Sequence, residues 1–308
     1  MAKRLTAPAA MSTVKAVAGG VSLGAAAALA YAVGVERRWY ARREVRLPLL
    51  RGPGHLRVLF FSDLHQARGQ AHRLDFVRRV ARECAPDLIV SGGDNLEHPD
   101  AITPVVTLHR DILDMTGAAG VAVLGAHDRY GPRLANPAGY LTGPSRGPLG
   151  QPLDTASLVR GMTQGGWTVL ENAATTVMTA AGSVQVVGLD DPHIDRDDLS
   201  MVPRGDEEAV LRLGLVHAPY LRALHAFDDA GFDLALAGHT HGGQLAVPGW
   251  GALVSNCDLP PAQAKGTSWV GADLRLHVSA GLGHSIFFPM RFACRPELSV
   301  IDVVPRPS

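Results

Sequence analysis

Residues 238–244 read Gly-His-Thr-His-Gly-Gly-Gln and follow the apolar run 234–237, a pattern typical of a buried strand that ends in a glycine-rich loop. His239 and His241 are two positions apart, so their imidazoles point to the same side if the extended geometry persists. The neighbouring glycines allow the backbone to approach a ligand closely. The stretch therefore predicts a binding site at the end of a strand.

Other short apolar runs end in the same way, in loops that carry aspartate or histidine. Segments with helical spacing lie between these runs, and the alternation indicates parallel strands with functional groups at their carboxyl ends. The sequence therefore predicts an α/β fold, in which two halves built of strand–helix units form two sheets packed face to face. The polar residues in these loops are Asp63, His65, Asp94, His127, Asp128 and His217.

The periodicity locates the individual elements. Residues 129–153 are rich in proline and glycine and have no periodicity, so we expect a long loop that is functional or mobile, directly after His127. The predicted strands are 56–61, 87–90, 121–124, 167–170, 175–179, 184–189, 211–216, 234–237, 274–278 and 298–303, and the predicted helices are 73–84, 101–115, 154–162 and 220–229.

Charge and cysteine content exclude several classes of protein. Residues 1–46 carry eight basic and two acidic side chains, whereas residues 47–308 carry 21 basic and 27 acidic ones. An acidic domain binds the negatively charged phosphate backbone of nucleic acids poorly, so no nucleic-acid partner is expected. The three cysteines are too few for a disulfide scaffold or a zinc ribbon. We expect buried free thiols at Cys84, Cys257 and Cys294, with a Cys257–Cys294 bridge as the alternative in an exported domain.

The N-terminal segment has the composition of a membrane anchor. Residues 16–35 carry no charge, and about 20 helical residues span about 30 Å, the thickness of a bilayer core. A cleavable signal is the alternative, but the apolar stretch continues beyond the cleavage-like residues 28–30, so we expect an uncleaved single-pass helix in the cell membrane. Basic residues flank both ends, and their distribution does not decide which side the following domain occupies.

A basic segment with prolines and glycines, residues 36–55, follows this span and is predicted to be a juxtamembrane linker. We therefore divide the chain into an N-terminal anchor with its basic segment, residues 1–46, and a catalytic domain, residues 47–308.

The polar residues at the strand ends are aspartates and histidines, a ligand set that suits Mn, Fe or Zn. Two carboxylates and four histidines exceed what one tetrahedral ion needs, so we expect two divalent metal ions. Two adjacent ions clamp a phosphate and generate hydroxide from water, and a nearby histidine can protonate the leaving oxygen.

These residues carry a resemblance to a known family. The ordered motifs Asp-x-His, Gly-Asp, Gly-x-His-Asp, His and Gly-His-x-His resemble the calcineurin-like metallophosphoesterase superfamily. Residues 242–244, 281–283, 291–292 and 294–297 look like its bacterial membrane-associated phosphodiesterase branch. The match covers residues 56–303. It implies a two-sheet metallophosphoesterase sandwich flanked by helices (α/β/β/α) with a dinuclear site, here preceded by one N-terminal transmembrane helix.

The resemblance also implies a role for each motif residue. His127 would be the proton donor or the transition-state stabiliser, oriented by Asp128. By position, the first ion would be bound by Asp63, His65 and His241, Asp94 would bridge the ions, and the second ion would be bound by His217 and His239.

One position departs from the family pattern. The residue before the motif histidine is usually asparagine, whose amide oxygen binds the second ion, and here it is Ala126. A methyl group cannot coordinate, so the second site is expected to be weaker, filled by water, or completed by Asn95 or His193. His127 could also shift onto the metal.

Three functions are compatible with these motifs. The first is a membrane-anchored metal-dependent phosphoesterase that cuts phosphodiester or phosphomonoester bonds by metal-activated water, with a small molecule, a lipid or an envelope component as its substrate. The second is a nucleotide phosphodiesterase, with Tyr130, Tyr140 or Trp250 stacking on the base. The third is a degenerate metal-binding module, motivated by Ala126.

Two further features stay open at this point. Arg291 either binds a phosphate or pairs with a core carboxylate. Residues 190–193, Asp-Asp-Pro-His, are either a solvated turn or part of the cleft rim.

Overall fold

The computed structural model describes residues 24–133, 150–284 and 286–307. Every strand and helix predicted between residues 56 and 303 is present, with ends shifted by a few residues. In these ranges the strands are β1 (Ala41–Leu50), β2 (Leu56–Phe61), β3 (Leu88–Ser91), β4 (Ala119–Ala122), β5 (Trp167–Val169), β6 (Ala173–Thr179), β7 (Gly182–Gly188), β8 (Leu211–Leu215), β9 (Leu234–Ala237), β10 (Ala246–Val247), β11 (Gly251–Ala252), β12 (Gly266–Val270), β13 (Leu274–Val278) and β14 (Glu297–Pro305).

Two mixed six-stranded sheets pack face to face at the centre of the molecule. Their strand orders are β1-β14-β2-β3-β4-β5 and β12-β13-β9-β8-β7-β6. One cluster of buried aliphatic and aromatic side chains, including Val58, Val90, Val186 and Leu213, joins their inner faces. Strands β2, β3 and β4 are parallel in the first sheet, and β7, β8 and β9 are parallel in the second. The carboxyl ends of each parallel set therefore meet at one edge.

Helices cover the outer faces of both sheets. Residues 24–34 are helical and are called α1, and the other helices are α2 (Ala71–Cys84), α3 (Ile102–Thr116), α4 (Thr155–Gln164) and α5 (Leu221–Asp229). The apolar sides of α2, α3 and α4 pack on the first sheet, and that of α5 packs on the second. The predicted α/β fold with two sheets is confirmed.

The predicted membrane span 16–35 is only partly visible, because residues 16–23 lie outside the described ranges. Among the residues that the structure describes, no helix is both long and apolar enough to cross a membrane. The carboxyl end of α1 contacts the rest of the domain. Ala32 is buried, and its carbonyl accepts the backbone N–H of Arg291 at 3.2 Å.

The predicted linker 36–55 is wrong over Ala41–Leu50, because these residues form β1 and pair in parallel with β14. The strand runs through the boundary expected between residues 46 and 47. Glu36 is buried just before it, and its carboxylate accepts the backbone N–H groups of Ala293 and Cys294 at 3.0 and 2.7 Å. Charged side chains on an exposed edge strand are common in natural sheets. In β1, the charged side chains obscured the apolar pattern that predicts a strand.

The three cysteines are buried free thiols, as expected. Cys84, Cys257 and Cys294 are buried and free, so the alternative of a Cys257–Cys294 bridge is wrong. Cys294 lies behind the glycine-rich loop, with its Sγ 3.2 Å from the carbonyl oxygen of His241.

Two histidines deep in the fold make stability depend on pH. His109 and His277 are almost fully buried, and burial lowers the pKa of each imidazole to about 4 from the usual 6.5. His109 lies between Ser91 Oγ at 3.1 Å and the Val105 carbonyl at 2.8 Å. Because the folded pKa lies below the unfolded one, the stability that depends on neutral His109 is complete above pH 6.5 and is lost as the pH falls toward 4.

We therefore expect His109→Gln to weaken the pH dependence of unfolding. Between pH 7 and pH 5 the free energy of unfolding should fall by about 2 kcal/mol more in the wild type than in the variant, as expected from the size of the pKa shift. Urea unfolding of metal-stripped protein at the two pH values measures the difference. The exposed His225, replaced with Gln, is the control. Equal pH dependence in wild type and His109→Gln would contradict the prediction.

Candidate metal centre

The predicted site residues converge where the carboxyl ends of the two parallel strand sets face each other. Asp63 and His65 follow β2, Asp94 follows β3, and His217 follows β8. The loop after β9 crosses to the first sheet, since the backbone N–H of His239 lies 3.1 and 3.2 Å from the two carboxylate oxygens of Asp63. The sandwich therefore places residues that are far apart in sequence around one site.

The backbone at this site is strained. Five of the predicted ligands have positive φ: Asp63 (52°), His65 (40°), Asp94 (53°), His239 (66°) and His241 (51°). The left-handed conformation costs a residue with a β-carbon roughly 1–2 kcal/mol, and such residues concentrate at functional sites. The extended geometry expected for His239 and His241 is therefore wrong.

Two adjacent groups of ligand atoms consist of predicted metal ligands. Asp63, His65 and His241 make one, and Asp63, Asp94 and His217 make the other, with the ligand atoms of each group within 4.8 Å of one another. A third group among the described residues, His65, Glu97 and His127, shares His65 with the first. Asp94 Oδ2 lies 3.1 Å from His217 Nε2 and 3.6 Å from His65 Nε2, so it faces both groups. This arrangement matches two neighbouring ions with a carboxylate between them.

The imidazoles at the centre of the site are oriented for metal binding. Nε2 of His65 and Nε2 of His217 are buried and have no hydrogen-bond partner among the described residues. Their other nitrogens are engaged, His65 Nδ1 with Glu97 Oε2 and His217 Nδ1 with the Gly92 carbonyl, each at 2.7 Å. A carbonyl only accepts, so Nδ1 of His217 carries the proton and its Nε2 lone pair faces the site. The residues present fit divalent cations.

The two histidines of the glycine-rich loop differ in position. His241 Nε2 is 3.8 Å from Asp63 Oδ1 and belongs to the first group. The His239 ring lies 5.4 Å from the His217 ring, but His239 is in neither ligand group. Its Nε2 is 3.1 Å from the Asn256 carbonyl. The structure thus brings His239 to the edge of the site.

His127 lies beside the first group, with the Glu97 carboxylate next to its imidazole. Its Nδ1 is 3.2 Å from Glu97 Oε2, and its backbone N–H donates to Asp94 Oδ1 at 2.7 Å. Burial lowers the pKa of His127, but the nearby Asp94 and Glu97 carboxylates outweigh this effect and raise the pKa to about 9. The sequence reasoning missed Glu97, although it is only three residues beyond Asp94.

Residues 56–243 match the calcineurin-like phosphoesterase family. The chain belongs to this family. It is a metallophosphoesterase, a hydrolase of phosphoric esters. The family uses a dinuclear metal centre, and the two ligand groups described above are candidates for its two positions.

Two curated proteins are similar over most of their length. The uncharacterized metallophosphoesterase YkuE of Bacillus subtilis (strain 168) is 29% identical over 255 residues, which cover 80% of this chain and 78% of that protein. The phosphodiesterase YaeI of Escherichia coli (strain K12) is 28% identical over 252 residues, which cover 80% of this chain and 82% of that protein.

Asp128 has a different role in this phosphoesterase from the one expected. Its carboxylate accepts the backbone N–H groups of Asn95 at 2.8 Å and Gly125 at 3.1 Å, and the Asn95 side-chain amide at 3.3 Å. Glu97, and not Asp128, is the carboxylate next to the imidazole of His127. Asp128 therefore fixes the turn that carries His127 to the loop after β3.

The side chains suggested to replace the missing asparagine are both engaged elsewhere. The Asn95 amide binds Asp128, and its Oδ1 accepts from Ser91 Oγ at 3.2 Å. His193 Nδ1 lies 3.1 Å from the Tyr220 hydroxyl, with its ring 4.4 Å from that of His239. The Asn95 suggestion is therefore wrong in this structure, and His193 lies next to a predicted ligand.

Arg291 fits neither of its two predicted roles. Its buried guanidinium donates to the carbonyls of His241 at 3.1 Å, Gly281 at 3.3 Å and Gly283 at 2.6 Å. Nη2 also lies 3.1 Å from His241 Nδ1. Arg291 therefore positions the loop and the imidazole of one metal ligand.

The Asp-Asp-Pro-His segment is not a solvated turn. Asp190 and Asp191 are buried, and Asp190 forms ion pairs with Arg129 and Arg196, both at 2.8 Å. Burial raises the pKa of Asp191 to about 7, His217 opposes this rise, and Asp94 adds to it. Asp191 is thus a further carboxylate at the edge of the site that the sequence reasoning had not assigned.

Proposed function

We propose that this phosphoesterase hydrolyses phosphodiester or phosphomonoester bonds in an amphiphilic, lipid-like substrate at a membrane surface. Two bound divalent cations would supply Lewis-acid activation of the phosphoryl group and an acidified water. The residues of the two ligand groups would hold these ions, with Asp94 between them.

His127 would donate a proton to the leaving oxygen. Its side chain is 28% exposed, so it can reach a substrate, and Glu97 Oε2 lies 3.2 Å from its Nδ1. An imidazole with a pKa of about 9 is protonated at neutral pH and can donate.

The observation that carries the proposed substrate class is a set of exposed apolar side chains on two segments that contact the loops of the metal site. We call it the apolar rim. Exposed large apolar side chains grouped at a site mark interaction surfaces, and tryptophan is favoured at membrane interfaces. The rim consists of Val247, Trp250 and Leu253 around β10 and β11, and of Ile286 and Phe287, with Trp250 84% exposed.

The rim is linked to the site by hydrogen bonds. The backbone N–H of Ile286 donates to Glu97 Oε1 at 2.8 Å, and Glu97 also holds His65. Gln244, the last residue of the glycine-rich loop, donates to the carbonyls of Phe288 at 2.7 Å and Met290 at 3.1 Å. A lipid whose acyl chain lies on the rim would therefore have its phosphate close to the metal ligands.

We also propose that the N-terminal segment is a single-pass anchor. The uncharged stretch 16–35 supports this proposal. The described end of this stretch packs beside the loop that leads from the rim, with the Tyr31 and Phe292 rings 6.5 Å apart. Anchor and rim would then engage the same bilayer.

Replacing rim residues should separate two kinds of substrate. We expect Trp250→Ser and Phe287→Ser in the full chain to lower turnover of a phosphodiester presented in detergent micelles by about tenfold, which corresponds to ~1.4 kcal/mol of lost contact. Hydrolysis of a water-soluble nitrophenyl phosphodiester should stay unchanged. Trp269→Ser is the control, since Trp269 is exposed on β12. Equal losses on both substrates, or the same loss in the control, would overturn the amphiphilic substrate.

A nucleotide diester in the same assay tests the alternative enzyme. Of the aromatic residues proposed to stack on a base, Tyr130 and Trp250 are described, and Tyr140 lies outside the described residues, as do residues 134–149 of the predicted long loop. Preferred turnover of the nucleotide, without dependence on the rim, would favour a nucleotide phosphodiesterase.

A further inference from the structure

Position 126 lacks a side chain that can bind the second ion, and a carboxylate from the other sheet lies nearby. We propose that Asp191 takes the place of the missing asparagine and completes the second metal position with its Oδ2 atom. The inference rests on metal-dependent phosphoester hydrolysis and is independent of the amphiphilic substrate.

The sheet register brings Asp191 next to a metal ligand. Gly188 at the end of β7 pairs with Leu215 at the end of β8, and the backbone N–H of Leu189 donates to the Leu215 carbonyl at 3.0 Å. Asp191 and His217 follow these paired ends by three and two residues. The two side chains therefore leave neighbouring parallel strands at the same edge.

A second connection fixes this loop against the turn that contains Ala126. Arg129 follows this turn, and its guanidinium donates to both carboxylate oxygens of Asp190, at 2.9 and 2.8 Å. These bonds hold the segment that contains Asp191 against the turn that carries Ala126.

The environment of Asp191 lacks a partner for one oxygen. The residue is fully buried, and Oδ1 accepts the backbone N–H of His193 at 2.9 Å. Oδ2 has no hydrogen-bond partner among the described residues. A buried carboxylate oxygen without a donor is costly unless a cation meets it. A divalent ion bound by Asp191, Asp94 and His217 would satisfy the free oxygen.

Metal binding tests the inference directly. The full chain is stripped of metal and dialysed against Mn²⁺, and its metal content and spin-coupled Mn²⁺ signal are measured. Wild type should bind two ions per chain. Asp191→Ala should weaken the second ion at least about tenfold and lose the coupled signal, whereas Asp191→Asn should keep part of both. Adding Ala126→Asn to Asp191→Ala should restore the second ion, because an amide oxygen at position 126 can then bind it in place of the lost carboxylate.

Controls separate this result from unfolding and from failure of the proposed function. Asp195→Asn changes an exposed carboxylate in the same loop and should bind two ions. The metal-free Asp191→Ala protein should unfold at the wild-type temperature or above it, since the change removes an unpaired buried charge. If wild type binds two ions but cuts no phosphoester, the proposed function fails while the assignment of Asp191 stands. Two-ion binding with unchanged affinity in Asp191→Ala, or a single ion in wild type, would overturn the assignment.

Discussion

Replacement of Asp94 with alanine is expected to reduce phosphodiester hydrolysis by at least about a thousandfold. Asp94 Oδ2 faces both His65 and His217, at 3.6 and 3.1 Å, and its Oδ1 accepts the backbone N–H of His127 at 2.7 Å. The change therefore removes the carboxylate between the two ligand groups and releases the turn that carries the proton donor. Both ligand groups lose a carboxylate that faces them.

Steady-state kinetics with a nitrophenyl phosphodiester and saturating Mn²⁺ measure this effect, together with the metal content of the purified variant. Asp100→Ala is the matched control, since Asp100 is an aspartate at the protein surface that pairs with Arg68. We expect the control to keep wild-type activity. Activity of Asp94→Ala within tenfold of wild type would be incompatible with a bridging role.

Much of this site could be predicted because its chemistry lies at strand ends. An apolar run followed by aspartate or histidine is a local pattern, and the pairing rules of parallel strands bring such ends together. Asp63, Asp94 and His217 were located in this way, and the structure gathers them in one ligand group. The same reasoning gave the two-sheet arrangement.

The missed features depend on packing between distant segments. Strand β1 escaped prediction because its arginines mask its apolar residues, and only pairing with β14, about 250 residues away, makes it a strand. The role of Glu97 follows from loops that place it against both His65 and His127. Arg291 resembles a phosphate ligand in sequence, but burial among carbonyls gives it a positioning role.

The predicted side-chain direction of His239 and His241 was wrong for a related reason. Period-two alternation holds only in extended backbone, and His239 and His241 have φ of 66° and 51°. The contacts of these loops with each other impose this strain, and spacing in the sequence cannot reveal it.

His127→Gln should affect substrates according to their leaving group. We expect turnover of an alkyl phosphodiester to fall by about 10²–10³-fold, the usual contribution of a general acid, and turnover of a nitrophenyl diester by less than about tenfold. An alkoxide needs a proton as it leaves, whereas nitrophenolate departs without one. Glutamine keeps a similar size beside Glu97 and cannot donate a proton in this way, so the difference isolates proton transfer.

The pH profile provides an independent readout of the same role. A proton donor loses its proton as the pH rises, so wild-type turnover of the alkyl ester should fall on the alkaline side of its pH profile. Glu97→Gln should move this fall to lower pH, because one of the two carboxylates that raise the pKa of His127 is gone. The nitrophenyl ester should show neither effect. If His127→Gln instead slows both substrates equally and also loses metal, His127 acts as a ligand, and the leaving oxygen must take its proton from another group.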